Sequence, residues 1–233
     1  MKSPLTIRLL QTNTYKKKAI PYMTAEKLKF TFMKSKDFFA KKAKDYDNEK
    51  SRTENVSTIA QTILKEVSFS KEMSVMDFGS GTGLLLSEIA PYVGEITAVD
   101  VSSSMNSILK SKKEQIKCSL QIIEMDLTKE TLDKKFNAII SSMTIHHVED
   151  TLALFKKFHS LLKENGTIAI ADLDTEDGSF HTEDTGVFHC GFDREDFAKM
   201  VKEAGFKEVK IQNASTIAKP NSNYSVFLLT ANK

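Results

Sequence analysis

The sequence predicts an α/β fold, a Rossmann-like sheet of mostly parallel strands with helices on both faces, from three observations. Strand-length apolar runs alternate with amphipathic helical stretches, the pattern of successive βα units. The first clear run, ending VMDF at 75–78, passes into glycines at alternate positions, Gly79, Gly81 and Gly83. Leu84, Leu85, Leu86, Ile89 and Ala90 follow at spacings one helix face can bury. Finally, Asp100 and Asp126 close two later runs, where open α/β sheets hold their ligands.

The elements follow in order. Residues 37–46, DFFAKKAKDY, have the spacing of a short amphipathic helix, and 53–67 form a stronger one with Val56, Ile59, Ala60, Ile63, Leu64 and Val67 on one face. Strands are expected at 74–78, 95–101, 120–125, 136–143, 167–173, 206–212 and 224–231. Ser102 can cap a helix reaching about residue 113. Asp150 can cap another, carrying Leu154, Phe155, Phe158, Leu161 and Leu162, with Gly166 as its stop. Asp193 precedes a third, with Phe197, Met200, Val201 and Ala204 ahead of Gly205. No helix separates the last two strands, so they should pair antiparallel. Residues 174–192 are a long irregular stretch, and loops of that length in compact domains are usually lids or binding loops.

Charge is unevenly distributed along the 233 residues. Residues 1–36 hold nine Lys/Arg and a single acid, Glu26, which leaves 24 of the 33 basic and 30 of the 31 acidic residues for 37–233. That segment is therefore net −6, a poor partner for a polyanion, which argues against nucleic acid as substrate. The basic segment admits three readings: a binding arm, a targeting segment or a flexible leader, and the last is the expectation, ahead of one domain at 37–233. No apolar run approaches the ~20 residues that span a bilayer. Cys118 and Cys190 make neither a disulfide framework nor a zinc spacing, so a reducing, cytoplasmic setting is the default.

The glycine spacing selects a ligand class. A dinucleotide loop wants glycine three positions after its second glycine, where this chain has Leu84, and a P-loop wants Gly-Lys-Ser/Thr, where it has Gly83-Leu84-Leu85. What remains is Asp-x-Gly-x-Gly-x-Gly. Asp100 lies 17 positions beyond Gly83, where an acid can accept from ribose hydroxyls, and Asp126 can accept from an adenine amine while Leu127 packs by the ring.

VMDFGSGTG, AVDVSSSM, IEMDL, FNAIISSMTIHHVED and NGTIAIADL together resemble the class I S-adenosylmethionine (SAM) dependent methyltransferases, in particular the small-molecule enzymes with an HH pair after the fourth strand. The resemblance runs from about residue 37 to 233. It implies strand order 3-2-1-4-5-7-6 with the seventh strand antiparallel. It also implies cofactor contacts at Asp77, Gly79, Ser80, Gly81, Asp100, Val101, Met105, Asp126, Leu127 and Ser142, with Tyr46 and Arg52 toward the methionine portion. The implied activity is methyl transfer from SAM to a small-molecule acceptor, leaving S-adenosylhomocysteine (SAH). Acting on nucleic acid or protein, or binding SAM without turnover, are the alternatives. The Asn/Asp-Pro-Pro-aromatic motif of amino-methylating nucleic-acid enzymes is missing, since the fourth strand ends SSMT, and neither cysteine follows a proline.

Histidines are the candidate acceptor-side residues. His146 and His147 follow the fourth strand at the expected mouth of the site, and His181 and His189 stand in the lid-like loop among several carboxylates. Positioning the acceptor, or removing its proton, suits an imidazole. The spacing of these groups fits no recognised metal site, so no metal is assigned.

Overall fold

The computed structural model describes residues 37–181, 183, 185–220 and 222–233. The expected basic tail at 1–36 lies outside them. The predicted runs form one seven-stranded sheet ordered β3-β2-β1-β4-β5-β7-β6. Its strands are β1 Ser74–Phe78, β2 Glu95–Asp100, β3 Ser119–Glu124, β4 Phe136–Ser142, β5 Leu162–Leu173, β6 Lys207–Lys219 and β7 Ser222–Asn232. Pairings among β1 to β5 are parallel, whereas β7 runs antiparallel to both β5 and β6.

Alternation along the strands explains why the sheet is covered on both faces. Val75, Ile96, Ala98, Ile140 and Ala169 pack with helices α1 Lys50–Glu66 and α2 Leu84–Ile89. Their neighbours Met76, Val99, Ile139, Ile168 and Phe227 point the other way, toward α4 Thr151–Leu161 and α5 Arg194–Glu203. Helix α3, Ser103–Ser111, follows β2 and starts as expected, with the Ser102 hydroxyl accepting from Met105 N–H at 3.1 Å. Asp150 and Asp193 cap α4 and α5 in the same way.

Three local expectations are corrected. Residues 37–46 do not form an α-helix; turns lead into a 3₁₀ segment at Ala43–Asn48 in which only Ala43 is buried. Its side chains are used as ties, which removes the stripe a helix needs. Helix α4 ends at Leu161 rather than Gly166, because Leu162 already pairs with Phe136, and Gly166 sits in the irregular stretch before Thr167 pairs with Ala138. The β6–β7 hairpin also reaches well past its expected tip, with Ile217 paired to Tyr224 and Lys219 to Ser222.

The 174–192 loop is irregular as expected, and its ends are fixed. Asp174 and Phe192 form an isolated parallel bridge, and Arg194 grips the Asp174 carboxylate through Nε and a terminal nitrogen, both at 2.6 Å. Such bidentate pairs hold geometry as well as charge.

Phe155 is fully buried and meets Phe158, Phe197 and Phe206 edge-on. Phe155→Ala should cost about 3–5 kcal/mol of folding free energy, read by urea denaturation. A loss below about 1 kcal/mol would show that this face of the sheet repacks freely.

Candidate active site

Loops after β1, β4 and β5 enclose a cavity of about 230 Å³, closed over by residues 39–56 and by the far end of β6. Tyr46, Arg52, Asp77, Gly79, Ser80, Gly81, Ser142, His146, His147 and His181 line it, so ten of the sequence-derived site residues meet at one place.

The glycines have different jobs. A Cβ on Gly79 would fall 2.2 Å from the Thr144 side chain, so glycine there lets the loops after β1 and β4 touch. A Cβ on Gly81 would meet nothing within 4 Å, and φ there is +53°. Gly81 is thus the point at which bare backbone faces open space. Met143, with φ +56°, adds a strained non-glycine residue to the same wall.

Asp77 is the electrostatic oddity. It is completely buried under the loop, and Oδ2 has no hydrogen-bond partner. Burial pushes its carboxyl well above the ordinary range, and the neighbouring Asp100 adds to that, against a backbone hydrogen bond from Leu86. Among the described residues, the buried side-chain polar atoms without partners belong to Asp77, Ser80, Asn106 and Ser142, and all but Asn106 line this cavity. A cationic, hydrogen-bonding ligand would answer the three that line it.

The remaining residues assigned to the cofactor lie outside the cavity. Asp100 receives Gly81 N–H and Ser102 N–H at 2.7 Å each, which fixes the glycine loop to the start of α3. Val101 is exposed beside it, and Met105 is buried in the first turn of α3. Asp126 accepts from Thr128 and from Lys129, at 2.7 Å, and holds its carboxyl below the ordinary range, while Leu127 is core. Arg52 lies 4.0 Å over the Tyr46 ring, donates to the Tyr46 carbonyl and pairs with Glu49 at 2.6 Å. The sequence did not point to Asp47, whose carboxylate takes the Thr82 hydroxyl at 2.5 Å and Lys112 at 2.6 Å, clasping the 3₁₀ segment to the glycine loop.

At the other end stand three histidines. His146 is 1% exposed, and its Nδ1 lies 2.6 Å from Asp172, itself fully buried. The carboxylate can only accept, so Nδ1 carries the proton and Nε2 faces the cavity side. That Nε2 is 3.2 Å from His181 Nε2, while His181 Nδ1 meets the Thr185 hydroxyl at 3.1 Å. His147 Nδ1 is 3.3 Å from the Gly186 carbonyl. Burial, then the adjacent His146, brings both His147 and His181 down to about 4, so both are neutral at pH 7. His189 is not brought to this group: its Nε2 donates to the Val148 carbonyl at 2.9 Å and its ring packs on Phe192.

Residues 51–211 match a family model described as a methyltransferase domain. The chain belongs to that family. An uncharacterized methyltransferase of Schizosaccharomyces pombe is 30% identical over 168 residues, covering 65% of this chain and 57% of that protein. Phosphoethanolamine N-methyltransferase 3 of Arabidopsis thaliana is 31% identical over 144 residues, 58% of this chain but 29% of its own length. The chain thus spans from under a third to little more than half of these relatives. In fold, it is similar to phosphoethanolamine N-methyltransferase 2 of Haemonchus contortus, solved with phosphomonomethylethanolamine and SAH, at a TM-score of 0.63 and 16% identity over 84% of this chain and 59% of that one.

Class I methyltransferases use SAM, and the site fits it on its own terms. The ammonium of its methionine end suits the unpartnered Asp77 oxygen, and Gly81 leaves backbone free for close approach. Asp77→Asn should separate stability from binding. The folded pKa of Asp77 is raised, so the folded chain keeps a proton that the unfolded chain releases above the ordinary carboxylate range. Stability then falls as pH rises from that range toward the folded value. Asp77→Asn should remove this slope and raise Tm at pH 8, read by thermal denaturation across pH, while weakening SAH binding. A lower Tm with the pH slope intact would contradict this.

Proposed function

We propose that the protein transfers the methyl group of SAM to a small-molecule acceptor. The observation that carries this reading is one cavity with two chemically distinct ends. At one end, Asp77, Ser80 and Ser142 offer unpartnered polar atoms beside the open backbone of Gly81. At the other, His146 and His147 meet His181 from the 174–192 loop.

Asp77, Ser80, Gly81 and Ser142 would hold the methionine end, with Tyr46 and Arg52 covering it. Asp100, Val101, Met105, Asp126 and Leu127 form the adenosine side, and Gly79 keeps the β1 and β4 loops in contact. SAM supplies an electrophilic methyl on a sulfonium whose positive charge is lost as the methyl leaves, which a dry, fixed pocket favours. The chain's part is placement and exclusion of water. Asp172 fixes the tautomer of His146, and the neutral rings of His147 and His181 offer nitrogen lone pairs to the acceptor's nucleophilic group. The burial of His146, with His147 and His181 half-buried beside it, supports a small acceptor over a macromolecule. Among the described residues, no helix is long and apolar enough to cross a membrane.

Ligand binding tests the donor end directly. SAM and SAH should each raise stability by about 2.7 kcal/mol at a hundred times their Kd, whereas NAD should not. Asp100→Ala should weaken SAH binding more than Asp126→Ala, because it also releases Gly81 and Ser102. Gly81→Val, which fills the open space, should abolish binding by calorimetry. A folded Gly81→Val protein with unchanged SAH affinity would move the cofactor elsewhere, as would an equal shift from NAD. Conversion of SAM to SAH over a panel of hydroxyl and amine acceptors then tests turnover.

A further inference from the structure

Among the described residues, His146, His147 and His181 form a group whose ring nitrogens, one from each, lie within 4.8 Å of one another. Each ring has an oxygen partner at Nδ1: the Asp172 carboxylate for His146, the Gly186 carbonyl for His147 and the Thr185 hydroxyl for His181. A carboxylate and a carbonyl can only accept, and a hydroxyl can accept, so one set of tautomers places every proton on Nδ1 and leaves every Nε2 lone pair available. The spacing of one pair agrees with a shared ion. Tetrahedral zinc with Zn–N bonds of about 2.0–2.1 Å needs its nitrogens about 3.3 Å apart. His146 Nε2 and His181 Nε2 are 3.2 Å apart.

We propose that these three histidines bind a divalent transition metal ion of the zinc class, with coordination open toward the cavity for the acceptor. Imidazole donors suit zinc, copper, iron and nickel and disfavour magnesium or calcium, which take oxygen ligands. Three protein nitrogens and an open position are also the arrangement of catalytic rather than structural zinc. The buried Asp172 on His146 is the kind of partner that fixes a ligand's tautomer and raises its basicity. The acceptor class follows from the ion. A hydroxyl coordinated beside the cofactor's end of the cavity releases its proton to water near neutral pH, as zinc-bound water does at a pKa of about 7. The acceptor is then an oxygen-ligating small molecule. This use of the site rests on the methyl-transfer reading, but occupancy of the site by metal does not.

The test is cobalt(II) titration of the full chain after chelator dialysis, followed by zinc displacement. One equivalent per chain should bind with the visible absorption of low-symmetry four- or five-coordinate cobalt, and zinc should bleach it. His181→Ala should lose that spectrum. Asp172→Asn should weaken cobalt affinity 10–100-fold. His159→Ala, a histidine outside the group, should match the unaltered chain. The SAH thermal shift of each variant reports that it is folded, and His147→Ala replaces His181→Ala if the latter is not. SAH binding without stoichiometric cobalt would overturn the metal site and leave the cofactor reading standing. So would cobalt binding that both His181→Ala and His147→Ala retain, since the ion would then sit elsewhere.

Discussion

The carboxylate of Asp172 has no exposure to water, and it lies at the end of β5 with four donors around it. Ile145 N–H and His146 N–H reach Oδ2 at 2.8 and 3.3 Å, while Leu173 N–H and His146 Nδ1 reach Oδ1 at 2.8 and 2.6 Å. A buried carboxylate is tolerable only when so satisfied, and removing partners from one typically costs 3–5 kcal/mol. Through these contacts one side chain fixes the backbone after β4 and the ring of His146. The His146 carbonyl in turn accepts from Phe188 and His189 N–H, tying in the far part of the 174–192 loop. The proposed acceptor end is therefore built around a carboxyl group held between β4 and β5.

The proposed donor end has a parallel arrangement around Asp100, whose two oxygens hold the glycine loop and the start of α3. There the charge is less well compensated. Asp77 lies close by with an unpaired oxygen, and both carboxyls are raised, chiefly by burial. The donor end is thus poised for a cation, and the energetic cost of two buried acids is what ligand binding would relieve. Asp37 and Asp47 fasten the segment ahead of α1 to this region, on Ser102 and Ser104 and on Thr82 and Lys112.

The strand runs and the glycine loop were legible because alternation and turn chemistry are local properties, whereas the order of the strands across the sheet came only from the family resemblance. Asp100 and Asp126 were legible as strand ends. The clasp from 37–48 was not, because its polar side chains act over distances of 35 to 67 residues and leave no stripe. The outer part of β6 was also missed, since Lys207–Lys219 is mostly exposed or half-buried and only its pairing with β7 makes it a strand. Nothing in the sequence marked Asp172 as the partner of His146. His181 and His189 looked equivalent in sequence. Folding separates them, taking His181 to the HH pair and His189 to the Val148 carbonyl. No spacing rule finds a histidine group assembled from two loops 35 residues apart.

The donor and acceptor ends are proposed to form one site. Histidine-ring NMR on addition of SAH tests it directly, because the chain has only five histidines. Saturable shifts of the His146, His147 and His181 ring resonances are expected, with His159, packed on Phe206 away from the cavity, unmoved. Saturable SAH binding that leaves all three rings unshifted would show that the cofactor and the histidines belong to separate sites.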